Sequence, residues 1–366
     1  MAETAIPSGM TVQQWDNKLF TEYVAENWFR QFMGTGMNSM IHVKEDLTTK
    51  PGNTITFHLA RRLTGAAKDE NDVLEGAEEE LDLRTHDIVI REYAHAVKWK
   101  VFDEQLTAID LRNAHKDALK TWQGELDRDL IISALGMING VPYASASEAQ
   151  KDAWLVDNYD RVQFGAVRSN SSSLDHSTSL ANIDNTADKL TPDAVSLMKR
   201  LANKPPAGRP KVRPYKIRDA IENSNAYVMF ANSLAIRDLQ NNATFVQANR
   251  EARNRGMDNP LFSAADYVWD KVFIYEIEDI PVYTGVGAGG IDVAPVYLCG
   301  AQALCQAWAK RPTTMNEEFD YGRRKGLGIK EWMRVQKLQF GTGDTDRDDQ
   351  VDVGVVTGYF AAVSDS

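Results

Sequence analysis

Three glycines, Gly285, Gly287 and Gly290, satisfy the G-x-G-x-x-G spacing with which a strand-to-helix turn brings backbone N–H groups to a dinucleotide phosphate. The residues that follow argue against that chemistry. Ile291 to Leu298 contains Pro295 and reads as another strand, so no helix N-terminus faces the phosphate, and the segment is read as a loop. Asp344, Asp346 and Asp348 match the opening of a calcium loop, in which alternate carboxylates converge on a hard cation. Position six is Asp349 where glycine is needed and position twelve is Val355 where a bidentate Glu is needed, which favours an acidic surface turn over an adventitious cation. The six histidines, His42, His58, His86, His95, His115 and His176, show no metal-ligand spacing, and there is neither a G-x-S-x-G elbow nor a Walker loop. Cys299 and Cys305 are spaced for neither a zinc pair nor a C-x-x-C redox pair and imply no disulfide framework. The sequence nominates no catalytic residue, no cofactor site and no metal site.

The elements that would position any chemistry follow from periodicity. Trp15, Leu19, Tyr23, Val24, Trp28 and Phe32 recur near helical spacing over residues 11–33, predicting an aromatic-rich amphipathic helix that ends at Gly34-Thr35-Gly36. It docks on its own core or on a neighbouring subunit. Pro51-Gly52-Asn53 is a turn signal, after which Ile55, Phe57 and Leu59 alternate with polar residues as a half-buried strand. A second strand is predicted over His86 to Trp99, with His58, His86 and His95 as ordinary polar positions of a long hairpin. Asp103 can cap one long helix running to Gly136, whose thirty or so positions span about 45 Å. Residues 165–190 are serine-rich and read as a polar loop, and Thr191-Pro192-Asp193 opens a helix that runs to about Asn203. Strands follow at Tyr227–Phe230, Val268–Ile277 and Pro281–Thr284, with a helix opened by Asn232 or Ser233. The alanine-rich segment Gly300–Lys310 reads as a helix, and Trp332–Phe340 and Val351–Phe360 as two strands joined by an acidic loop. No internal repeat is visible, which disfavours solenoids and propellers.

Composition narrows the class further. The 366 residues carry 41 basic and 52 acidic side chains, a net charge of -11, with 43% hydrophobic residues. That is a normal globular mix for one large domain or a few subdomains. The acidic balance argues against a dedicated nucleic-acid binder and against adhesion to anionic membranes. No run of about eighteen apolar residues occurs, and residues 1–10 lack the basic patch and apolar run of a secretory signal, so a reducing, cytosol-like compartment is expected. The charge is uneven. Lys68 to Asp87 holds nine acidic residues against Lys68 and Arg84, a net of -7, whereas Ala194 to Arg218 holds eight basic residues and no carboxylate. Each run reads as a solvated face or, alternatively, as half of a contact in which the hairpin of one subunit lies over a basic surface of its neighbour.

Gly52-Asn53-Thr54-Ile55-Thr56-Phe57, Leu74-Glu75-Gly76, the long helix, Tyr227-Val228-Met229-Phe230 with Leu239, Asn259-Pro260-Leu261-Phe262, Gly287-Ala288-Gly289-Gly290, Gly300-Ala301-Gln302-Ala303 and Phe319-Asp320-Tyr321-Gly322 resemble, in order and spacing, the major capsid proteins of tailed bacteriophages. Together they cover most of the chain. The resemblance implies an α+β Hong-Kong-97-type capsid fold: an N-terminal arm at 1–48, an extended hairpin or E-loop at 49–101, and a peripheral domain with its spine helix at 102–189. An axial domain at 190–315 and a return to the peripheral domain at 316–366 complete it. It implies a non-enzymatic protein that self-assembles into the hexamers and pentamers of an icosahedral virion shell around double-stranded DNA, put together in the host bacterial cytoplasm. No cofactor and no membrane partner are expected, and the DNA is enclosed but not specifically bound. Implied partners are a portal protein, a separate scaffolding protein and a decoration protein. The residues expected at subunit interfaces are Trp15, Tyr23, Trp28, Glu78, Glu79, Glu80, Arg209, Lys211 and Arg213. An encapsulin-type cellular compartment of the same fold and an unrecognised soluble enzyme with a deep polar pocket are the rival readings.

Overall fold

The structure is a computed structural model in which residues 28–45, 47, 52–60, 63, 65–70, 74–76, 78–106, 110–206, 209–216, 225–253, 267–341 and 350–364 are described. After a single 3-10 turn at Trp28–Phe32 the chain forms β1 (Met33–Gly34), β2 (Ile41–Lys44), β3 (Thr54–Ala60), β4 (Leu83–Val89) and β5 (Arg91–Lys100). Helices α1 (Val101–Leu106), α2 (Leu111–Leu135) and α3 (Glu148–Asp157) precede β6 (Val162–Phe164), α4 (His176–Ala181), α5 (Pro192–Asn203), β7 (Tyr215–Lys216) and β8 (Asn225–Ala231). Then come α6 (Ser233–Gln240), α7 (Ala243–Arg253), β9 (Tyr267–Trp269), β10 (Val272–Glu276), β11 (Val293–Cys299), β12 (Leu304–Phe319), β13 (Arg324–Lys337), β14 (Gln339–Phe340), β15 (Val351–Asp352) and β16 (Val355–Ala361). Among the described residues no helix is long and apolar enough to cross a membrane.

Contacts group the chain into two compact units. The larger holds Phe29–Ile90, Asp129–Ala309 and Arg334–Ser366, and is built on a sheet of order β6-β16-β11-β8-β10-β9, with β7 pairing β8. Both faces of that sheet are buried, which is why β8 reads as an unbroken apolar run, Ala-Tyr-Val-Met-Phe-Ala. Period-two geometry separates the two sides. Val228, Phe230, Phe273, Tyr275 and Tyr297 join one core with Phe29, Phe32, Ile131 and Leu135, whereas Tyr227, Met229, Ile274, Val296 and Leu298 join another with Val195, Met198 and Ile236. Helix α5 starts as its sequence dictates: the Thr191 hydroxyl accepts from the Ala194 N–H and Pro192 takes the first turn. Asn232 caps α6 through Leu234 N–H, and its amide also donates to the carbonyls of Glu278 and Ile280.

In the same unit β3 and β4 form an antiparallel hairpin in register Thr54↔Val89 to Ala60↔Leu83. Ile55, Phe57 and Ile88 face inward and pack with Cys305, Ala307, Leu338 and Phe340, so the base of the hairpin has a core of its own. The smaller unit holds Arg91–Arg128 and Lys310–Met333. Here β5 pairs antiparallel with β13, Arg91↔Met333 to Lys100↔Arg324, and Trp99, Leu119, Leu327 and Ile329 form its buried cluster.

Several expectations are corrected. The segment Gly300–Lys310 is not a helix: β12 starts at Leu304 and pairs parallel with β2, Leu304↔Ile41 to Ala307↔Lys44. Alanine's helix preference is worth only tenths of a kcal/mol, and alternation decides instead, placing Leu304 in one core and Cys305 and Ala307 in another. The single strand over His86–Trp99 is two, because β4 pairs with β3 and β5 with β13. The helix expected from Asp103 is also two, and α2 is opened by Asp110, which accepts from Asn113 N–H at 3.1 Å. The polar loop of 165–190 contains α4, capped by Asp175. Val268–Ile277 is the hairpin β9–β10, turning at Asp270 and Lys271 with positive φ, and Pro281–Thr284 is loop apart from a Tyr283–Val293 bridge. The glycine motif is a short 3-10 turn leading into β11, as its proline required. Of the helix expected over 11–33, residues 11–27 lie outside the described residues, as do Asp344, Asp346 and Asp348.

Candidate assembly surfaces and buried charges

The β3–β4 hairpin presents two chemically different halves. Near its base the inward side chains are apolar; beyond Ala60 and Leu83 the described residues are exposed, apart from half-buried Asp82. Glu78, Glu79 and Glu80 are all exposed, and two of them shape the distal backbone by accepting from N–H groups, Glu79 from Gly65 at 2.6 Å and Glu78 from Gly76 at 2.7 Å. Leu63, Leu74, Leu81 and Leu83 are each at least half exposed in the same stretch. An acidic arm carrying solvent-facing leucines is a surface suited to covering by another chain. His86 is the exception among the hairpin histidines expected to be ordinary polar positions: burial lowers its pKa, against the opposing pull of Asp87 and Asp352.

The basic stretch divides. Lys211 and Arg213 are exposed, but Arg209 is a core residue. Its guanidinium pairs with Asp160 at 2.7 Å, donates to the Asp157 carbonyl and lies over the Tyr159 ring. Asp160 also holds Arg161 at 2.9 Å. Burial pushes the Asp160 carboxyl up, yet Arg161 and Arg209 outweigh it and hold the group below the ordinary carboxylate range. Arg161 reaches on to the carbonyls of Asp352 and Pro210, and Asp352 in turn binds Lys337 at 2.9 Å, Gln339 at 2.6 Å and the Trp154 indole N–H at 3.3 Å. This lattice ties α3, the turn before β6, the segment before β7, β13, β14 and β15 together. Nothing in local spacing announced it, since its partners stand up to 198 positions apart. Trp28 opens the first 3-10 turn, and Trp15 and Tyr23 fall outside the described residues.

The smaller unit carries its own buried carboxylate. Glu331 accepts from Gln123 at 3.2 Å, and burial first, then the charge of Asp127, raises its pKa to about 7. Trp99 stacks on His115 with centroids 4.8 Å apart and donates to Glu104 at 2.6 Å, which also binds Lys325 at 3.1 Å. On this unit Phe102, Leu106 and Tyr321 are exposed, the last completely, at the turn between β12 and β13.

A cavity of about 780 Å³ in the larger unit is walled by Tyr143, Tyr283, Tyr297, Pro281, Leu180 and His176. Burial raises the pKa of all three tyrosines, and it lowers that of His176 to about 3 with help from Lys151. These groups are held neutral in a wall that is mostly apolar, with Asp129, Glu148, Lys151 and Asp279 also lining the cavity.

The family described as phage capsid protein matches residues 3–364, and the chain belongs to that family. It is similar over its full length to a chain of the capsid asymmetric unit of cyanophage Pam1, 31% identical with a TM-score of 0.87 and all of both chains covered. The capsid of Ralstonia phage GP4 aligns over all of both chains at 22% identity and a TM-score of 0.75. The major capsid protein of Pseudomonas phage KPP25 is 25% identical over 365 residues, covering 92% of this chain and 91% of that protein. The fold is the α+β Hong-Kong-97-type capsid fold, and the chain is a phage major capsid protein, a structural and non-enzymatic component of the virion shell.

Proposed function

We propose that this capsid protein closes into an icosahedral head of hexamers and pentamers around double-stranded DNA, and that the hairpin of one subunit lies on a basic surface of the next. The exposed acidic arm carries this reading. Glu78, Glu79 and Glu80 and the neighbouring leucines face solvent at the distal end of the β3–β4 ribbon, and a two-stranded ribbon is marginal in water unless something covers it. Lys211 and Arg213 are exposed and of opposite sign; complementary potentials of this kind steer docking and fix register more than they add affinity. The functional division is an arm at 1–48, an E-loop at 49–101, peripheral segments at 102–189 and 316–366, and an axial domain at 190–315. The acidic balance suits a lining that encloses DNA without binding it. Portal, scaffolding and decoration proteins are the proposed partners, with assembly in the host bacterial cytoplasm.

The test is electron microscopy of purified protein lacking residues 1–27, a cut that keeps the buried Phe29 and Phe32, and, separately, of E78K/E79K/E80K. Both variants are expected to fold as subunits and to form few or no shells. Normal shells from both would overturn the proposed contacts.

A further inference from the structure

The cavity at the end of α2 combines an aromatic wall with a one-sided set of charges. Asp129, Glu148 and Asp279, all exposed, line it together with Lys151, three carboxylates against one ammonium for a net of -2. Asp152 and Asp175 add to the same field beside Glu148, one oxygen from each of the three lying within 4.8 Å of the others. Helix α2 contributes in the same sense. Its last turn places Ile132 and Ser133 in the wall, with Gly136 just beyond, and that turn holds no basic residue. The C-terminus of a helix carries about half an elementary negative charge, so this end favours a cation. A Cβ at Gly136 would stand 2.9 Å from the Tyr297 hydroxyl oxygen, so glycine keeps the helix end open to the tyrosines.

The apolar part of the wall points the same way. Tyr143 and Tyr283 stack with centroids 4.1 Å apart, and Pro142, Pro281 and Val282 line the cavity with them. Aromatic faces attract cations, and the molecule makes one such contact internally: the Lys151 ammonium lies 4.3 Å from the Tyr143 ring centroid and 3.7 Å from Glu148 Oε2. At about 780 Å³ the space falls within the roughly 300–1,000 Å³ of small-molecule sites. A bare ion would leave most of it empty, so the occupant that fits has an apolar body as well as a charge. We propose that the cavity binds a small organic cation of the arylalkylammonium class, its ring packed on the tyrosines and prolines and its ammonium held by the carboxylates and the end of α2. Lys151 competes with it for Glu148 and the Tyr143 ring.

The experiment titrates the purified full-length protein with three probes of one shape and different charge: phenethylammonium chloride, phenethyl alcohol and phenylacetate. Binding is followed by saturation-transfer NMR and by thermal unfolding. The cation is expected to bind saturably and raise Tm, the alcohol to bind about tenfold more weakly, and the anion more weakly still. E148Q and D279N, both at exposed positions, should each weaken binding of the cation by several-fold and leave the alcohol unaffected, whereas K151M should tighten binding of the cation. No saturable binding at millimolar phenethylammonium, equal affinity for the three probes, or affinity for the cation that neither E148Q nor D279N changes overturns the site.

Discussion

The carboxylates of the distal hairpin and those of the larger unit's interior are the same residue types put to opposite uses. Glu78, Glu79 and Glu80 lie in solvent, where a charge costs little to maintain and is available to another surface. Asp160 and Asp352 have side chains about 1% exposed and are surrounded by Arg161, Arg209 and Lys337, themselves almost as buried. There the charges hold distant segments of one chain in register. The difference teaches that a charge run read along the sequence is a mixture: Arg209 belongs to the interior set, and Lys211 and Arg213, two and four positions later, to the exposed one.

The interior set gives the largest predicted effect. Replacing Asp352 with alanine strands the Lys337 ammonium without its carboxylate and removes partners from Gln339 and Trp154, for an expected loss of about 3–5 kcal/mol in urea unfolding of the subunit. The paired variant D352N/K337M should recover much of that loss, because removing both charges avoids leaving one buried alone. If D352A costs no more than an exposed substitution, the contrast between the two sets collapses.

How far this organisation was legible in the sequence follows the range of the interactions. The β3 strand, the α5 cap at Thr191 and the α6 start at Asn232 were readable because each is decided by neighbours within a few residues. Gly300–Lys310 was misread because its alanines favour a helix locally, while β2, more than 250 positions earlier, supplies the strand pairing. The acidic cluster of Glu148, Asp152 and Asp175 was half legible: the first pair is a helical i, i+4 pattern, but nothing in a serine-rich loop announced that the start of α4 would bring Asp175 to it. The capsid resemblance supplied what periodicity could not, by naming the fold around an arm, a hairpin and a long helix.

A second contrast among buried carboxylates yields a smaller, pH-dependent effect. Asp160 has guanidinium partners and its folded pKa lies below 3.8, so its contribution is present above that value and is lost as pH falls through the depressed one. Glu331 has Asp127 beside it, and its folded pKa of about 7 lies above the unfolded 4.5. Its contribution is therefore complete below 4.5 and lost as pH rises through about 7. E331Q should flatten the stability profile between those limits, raising Tm by a few degrees at pH 8 and leaving it nearly unchanged at pH 4, as measured by calorimetry. A profile as steep as that of the unmodified protein would assign the slope to other groups.

The exposed set predicts the smallest effect on the subunit and the clearest one on assembly. E78K/E79K/E80K removes no buried partner, so each change should cost under about 0.5 kcal/mol in subunit unfolding. Because the proposed contact pairs these residues with Lys211 and Arg213 of a neighbour, K211E/R213E should damage assembly in the same way. Combining the two sets restores opposite signs across the contact and should recover shells, measured as sedimenting particles at low and high salt. Rescue would locate the contact, and its loss at high salt would identify it as electrostatic. If the combined variant assembles no better than its parents, the hairpin rests on a different surface, and the leucines exposed beside the glutamates become the better guide to where.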